Sequence, residues 1–211
     1  MITLFKKKNR NLTPFMKYLK REEGDWVHMN RGELDITSPF GIYKGAHRQS
    51  NVFKIIEAIS KKMKTGNLRS RAQRKIFNRH IKRNDEDYMK IVKAAERFYK
   101  WYFTRIKELR YMTKREQIIY KSMYINMGGN AIKILQEIIK VKKDGKFGPI
   151  STRALQKFKM NKNSDLRLSL LEGARKYYNS LARNNPDRFL RFLKGWLARI
   201  RRLRLINKIE K

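Results

Sequence analysis

Glu22-Glu23-Gly24-Asp25-Trp26-Val27, continued through Arg31-Gly32-Glu33-Leu34-Asp35-Ile36-Thr37-Ser38 to Pro39-Phe40-Gly41-Ile42-Tyr43, is the longest stretch of this chain that does not read as helix. Glycines 24, 32, 41 and 45 and Pro39 punctuate it, and Ile36, Phe40, Ile42 and Tyr43 suit short strand pieces. The pattern predicts a small β-hairpin/loop region near residues 24–45. It also gathers acid. Glu22, Glu23, Asp25, Glu33 and Asp35 all fall here; no acidic residue precedes them, and the next is Glu57. The whole chain has 53 Lys and Arg against 18 Asp and Glu, so this cluster is an anomaly.

On either side the spacing is helical. Thr13-Pro14 reads as an N-cap and first helical position, and Phe15, Tyr18 and Leu19 recur at i, i+3, i+4 up to Glu23. Ser50 caps a helix through Val52, Phe53, Ile56 and Ile59, which Gly66-Asn67 ends. Asp85 and Asp87 open a long helix through Ile106. Thr113 with Glu116 is a capping box. Gly128-Gly129 separates two further helices, Asp144 to Pro149 is a turn, and Ser151 or Thr152 starts the next helix. Asp165 and Asp187 open the last two. The fold class expected is mainly α.

With 211 residues there is room for one large domain or two small ones. Eleven Phe, ten Tyr and three Trp are enough to fill a core, which argues against disorder despite the charge. Absence of cysteine excludes disulfides and thiol catalysis. No apolar run is long enough to span a membrane. Met1 to Asn11 is basic without the apolar stretch of a signal peptide, which predicts synthesis in the cytoplasm. A net charge of +35 attracts polyanions: nucleic acid, acidic lipid, lipopolysaccharide or the anionic bacterial wall.

Glycosidases need one carboxyl able to donate a proton to the leaving oxygen, and usually a second group that positions water or supports positive charge. Glu23 is placed for the first role. It ends a helix, where the dipole disfavours a negative charge; a structural glutamate gains nothing there, whereas a proton donor does. Gly24 and Trp26 beside it suit a shaped, aromatic-walled loop. Glu33, Asp35, Thr37 and Ser38 are the candidates for the second role. The competing reading is that these acids offset neighbouring Lys and Arg or cap helices.

Glu23-Gly24-Asp25-Trp26-Val27 followed by Thr37-Ser38-Pro39-Phe40-Gly41-Ile42 resembles the Glu-Gly-Gly-Tyr … Thr-x-x-Gly-Ile signature of glycoside hydrolase family 108, phage and bacterial N-acetylmuramidases with a lysozyme-like α fold. Later segments are similar to the family's in the same order. They are Asn126-Met127-Gly128 with Ala131 and Leu135-Gln136, then Asp144-Gly145-Lys146-Phe147-Gly148-Pro149 with Ser151. Arg175, Tyr178, Leu181, Asn185-Pro186 and Gly195-Trp196-Leu197-Ala198-Arg199 close the series. The chain departs from the pattern where the second Gly is Asp25 and where the Asp-Pro-Gly-Gly loop reads Glu33-Leu34-Asp35-Ile36. The family's Thr falls on Ser38 if Gly41 is the anchor, or on Thr37 with one residue inserted, and Ser122 replaces the Asp usually found four before Asn126.

The resemblance implies a lysozyme-like catalytic region over 1–125 and a helical peptidoglycan-binding-type region over 126–211, packed as one compact unit. It implies Glu23 as general acid, with Glu33, Asp35, Ser38 or Thr37 assisting. Trp26, Phe40, Gly41, Tyr43 and Asn126 would bind substrate. Peptidoglycan would be the partner, with lipopolysaccharide or another anionic envelope polymer beside it. A monomer needing no cofactor or metal and no specific nucleic acid is expected, released as an endolysin through a holin or carried on a virion.

Two basic stretches stand outside that scheme. Residues 61–83 hold ten Lys or Arg and no acid, either a solvated helix face or a dock for anionic polymer. Residues 187–207 form a basic amphipathic helix that would either lie on a membrane or pack its Phe and Trp stripe inward, the second favoured by the Gly-Trp-x-x-Arg resemblance. His28, His47 and His80 lack metal-type spacing. The rivals to a muramidase are a non-enzymatic basic nucleic-acid binder and a wall-binding protein without activity.

Overall fold

Thr13 sets where the first helix begins. In the computed structural model, which describes residues 12–29 and 34–205, its hydroxyl accepts from the Met16 N–H at 3.3 Å and Pro14 takes the first turn. Helix α1, Pro14–Glu23, ends where Gly24 turns to φ 81° and its N–H closes on the Lys20 carbonyl. Three more helices follow in the same unit: α2 (Asn51–Lys62), α3 (Arg71–Arg83) and α4 (Asp85–Phe103). Ser50 and Ser70 cap α2 and α3. Asn84 caps α4, accepting from the Asp87 N–H at 3.0 Å, and Asp85, Glu86 and Asp87 set negative charge against the helix N-terminus.

Helix α4 is the spine of this unit. α2 and α3 pack on it, and Phe53, Ile56, Phe77, Tyr88, Ile91 and Val92 fill the space between them. The predicted hairpin is reduced to single-residue antiparallel bridges, His28 to Thr37 and Thr37 to Tyr43, with no extended strand among the described residues. The reason is local. Pro39 has no N–H to offer a ladder, and residues Pro39–Gly41 close a 3-10 turn instead. Residues 35–40 are buried one after another rather than alternating in and out.

The second unit opens with a 3-10 turn, Lys107–Tyr111, followed by α5 (Lys114–Met127), α6 (Asn130–Ile138), α7 (Pro149–Met160), α8 (Leu166–Asn184) and α9 (Pro186–Arg204). The capping box forms as read: the Thr113 N–H donates to Glu116 at 2.6 Å, and the Glu116 N–H to the Thr113 hydroxyl at 3.3 Å. Helix α7 begins at Pro149, ahead of Ser151. α8 is central here, contacting α5, α6 and α9. At the α6 crossing a Cβ on Gly173 would sit 2.5 Å from Ile134, so only glycine lets the helices approach so closely. By its internal contacts the chain forms two compact units that meet at Arg105/Ile106, and α5 packs on α6 and α8 in the second.

Asp87 gives the first unit a pH dependence. Its shielded carboxylate lies 2.7 Å from His80 Nε2 and 3.4 Å from Lys90 Nζ. The His80 hydrogen bond is the main reason its pKa falls below the ordinary carboxylate value. A lowered folded-state pKa means the stabilisation is complete above the unfolded value of about 3.9 and is lost as pH falls through the folded one. Asp87→Asn is therefore expected to be less stable than wild type at neutral pH and to converge with it as pH falls through the lowered folded-state pKa. Urea midpoints measured across that range give the check; a constant gap would show that the carboxylate's charge plays no part.

Candidate active site and wall-binding segment

The Glu23 loop is built on Gly41. Its φ is 82°, and a Cβ placed there would lie 2.7 Å from Glu23 Cγ, 3.0 Å from its Cβ and 3.2 Å from its carboxyl carbon. The glycine of the second motif is thus pressed against the half-buried glutamate of the first. The same loop is tied to Gly24, whose carbonyl accepts from the Phe40 N–H at 3.0 Å. The indole of Trp26, 52% exposed, lies against Gly24, the residue that follows Glu23.

The other expected site residues divide. Phe40 was expected as a sugar-stacking wall, but its ring is 0% exposed and belongs to the core, with φ 69° placing its backbone rather than its ring at the loop. Thr37 holds the bridges with His28 and Tyr43. The Ser38 hydroxyl is fully buried and donates to the Pro39 carbonyl at 2.9 Å. Asp35 is buried and accepts from the Ile36 N–H at 2.9 Å. Tyr43 is half-buried, its ring folded over Gly45. Asp25, in place of the expected glycine, pairs with Lys20 at 2.9 Å. Glu33 lies outside the described residues. Among these no group of His, Asp or Glu is arranged to hold a metal ion.

Two positioning residues escaped the sequence reading. Tyr99 on α4 donates from its hydroxyl to the Phe40 carbonyl at 2.7 Å; burial raises its pKa, and the negative charge of Glu23 adds to that rise. Asn78 on α3 accepts from the Val27 N–H and donates to the Val27 carbonyl, both at 2.8 Å. Basic residues 61–83 therefore anchor the loop as well as facing solvent. Arg74 joins in, donating to the Met29 sulfur at 3.8 Å and, within its own segment, to the Leu68 carbonyl at 3.0 Å. Nothing local marks either side chain: Tyr99 sits in an apolar helical stripe, and Asn78 bonds a residue 51 positions away. Tyr99→Phe should leave the buried Phe40 carbonyl unpaired and cost about 1–3 kcal/mol, read as a lower denaturation midpoint. An unchanged midpoint would mean the bond contributes nothing net.

In the second unit the later motifs meet one another. Gln136, buried, donates to Asp144 at 2.7 Å and to the Lys146 carbonyl at 3.1 Å, and accepts from the Gly145 N–H at 2.8 Å. That bond from Gln136, with a second from the Lys146 N–H, holds the Asp144 pKa below its ordinary value. The 144–149 turn is thereby locked as structure. Asn126, expected to bind substrate, accepts from the Arg199 guanidinium and donates to the Ser122 carbonyl at 2.8 Å. Tyr178 stacks on Trp196 with ring centres 4.7 Å apart. Between α6, α7 and α8 lies a groove of about 570 Å³. Phe158, Tyr177, Glu137, Glu172 and Lys176 on its walls supply the aromatic faces and charged acceptors and donors that saccharide hydroxyls use.

A family model described as a predicted peptidoglycan domain matches residues 130–201, from the start of α6 into α9. Comparison with curated proteins and with solved structures gave no match. The match supports a peptidoglycan-related protein, and it lies wholly inside the second unit.

Proposed function

We propose that this protein is a muramidase of the phage-endolysin type, hydrolysing the β-1,4 bond between N-acetylmuramic acid and N-acetylglucosamine. The observation that carries the reading is the seating of Glu23 against Gly41, in a chain whose other unit has a peptidoglycan-binding domain. Two motifs far apart in sequence serve one carboxyl group, which is what a positioned proton donor requires. Glu23 protonates the glycosidic oxygen as the bond breaks. Water attacks the anomeric carbon, and a second carboxylate, Asp35 or Glu33, orients it or supports the developing oxocarbenium charge. Trp26 offers a sugar-stacking face beside Glu23. Residues 130–201 hold the enzyme on its polymeric substrate, and the +35 charge concentrates it on the anionic wall. Release through a holin, or delivery on a virion, would bring such an enzyme to the wall.

The test is the chemistry of the new chain ends. Purified peptidoglycan is digested, reduced with borohydride and analysed by mass spectrometry. Reduced muramic acid ends are expected. Reduced glucosamine ends, anhydromuramic ends or peptide cleavage alone would replace the muramidase assignment with another hydrolase. Tight wall binding without any new ends would leave a wall-binding protein.

A further inference from the structure

We propose that the groove between α8 and α9 docks the protein on the surface of a bilayer rich in acidic phospholipid. This stands apart from the muramidase reading. Of the nineteen residues of α9 only Leu203 is fully buried. Trp196 turns inward onto Tyr178. A second apolar stripe, Leu190, Leu193, Leu197 and Ile200, faces Leu168 of α8 across an open cleft of about 770 Å³. Leu190 is 58% and Leu168 48% exposed. Arg175, Lys194, Arg201 and Arg204 rim the cleft. Glu172, the acid among them, is bonded to Arg175 at 2.7 Å. Over its length α9 carries Arg188, Arg191, Lys194, Arg199, Arg201, Arg202 and Arg204 against Asp187 alone.

Charge complementarity selects an anionic occupant, and the leucine floor selects one with acyl chains. A glycan or a soluble polyphosphate would satisfy the rim and leave the floor facing water. A second copy of this chain would cover the floor but bring +35 against +35. No helix among the described residues is long and apolar enough to cross a membrane, so α9 lies along the surface, leucines inserted and arginines at the head groups.

The experiment uses the full chain and sedimentation with sucrose-loaded vesicles at near-physiological salt, where charges farther apart than about 8 Å are screened. Vesicles containing about one third phosphatidylglycerol should bind at least about tenfold tighter than pure phosphatidylcholine. Leu168→Asn with Leu190→Asn should weaken binding about tenfold. Lys194→Glu, Arg201→Glu and Arg204→Glu together should weaken it about a hundredfold. Reversing exposed Arg71, Lys75 and Arg79 on α3 serves as the control for simple adsorption of a basic protein and should cost several-fold less. The proposal is overturned by equal losses from the two charge triples, by indifference to the leucine pair, or by saturable binding to soluble lipopolysaccharide without vesicle partition. A pull-down on insoluble peptidoglycan, run in parallel, reports on wall binding independently.

Discussion

Glu23→Gln is expected to abolish peptidoglycan clearing while leaving the helical circular dichroism signal and the thermal midpoint in place. The amide matches the carboxyl in shape, so the packing against Gly41 is retained. It has no proton to give the leaving oxygen. General-acid catalysis contributes about 10²–10⁴-fold, and that is the loss expected in the rate of turbidity decrease. Glu22→Gln is the paired control. It is adjacent in sequence, but consecutive helical residues point about 100° apart, and its carboxylate is engaged by Arg21 at 3.3 Å. It should lose less than about tenfold. Equal clearing by wild type and Glu23→Gln would remove Glu23 from the chemistry. Wall binding by residues 130–201 should survive the substitution, since Glu23 lies in the other unit.

The helices were legible because their signals are local. Thr13, Ser50, Thr113 with Glu116, and Asp165 all cap the helices they were read to cap, each through side chains within a few residues of the N–H they satisfy. Glu23 was legible from its helix end and from the resemblance, Gly41 from the resemblance; the contact between them is a property of the folded loop. What failed was reading exposure from residue type. Phe40 was expected to bind substrate, yet its ring fills the core, and the hairpin is reduced to single bridges where residues 35–40 are buried in succession. Asn126 looked like a ligand contact and is a partner for Arg199, so two motifs of the resemblance bond each other. Helix α3 read as a charged face, and its Asn78 proved to be what holds Val27. Pairings across tens of residues leave no local periodicity to detect.

Gly41→Ala separates the loop's catalytic geometry from its stability. Any L-residue at φ 82° is strained, by about 1–3 kcal/mol. Here there is a second penalty, because the new methyl would overlap the Cβ and Cγ of Glu23, atoms close to the backbone that cannot swing away without moving the carboxyl. Gly66→Ala provides the comparison. Its φ is 68°, so the backbone strain is similar, but its Cβ would meet only the far end of the Gln73 side chain, at 3.0 Å, which can rotate aside. Gly66→Ala should lose about 1–3 kcal/mol by urea denaturation, and Gly41→Ala more, because the overlap with Glu23 adds to the backbone strain. Only Gly41→Ala should lose activity beyond that, by about 10²-fold when assayed well below both unfolding midpoints, since an ångström of displacement at a proton donor costs about that much. Matched activity losses in the two variants would mean that the contact with Glu23 is packing alone, and would take away the observation on which the proton-donor assignment stands.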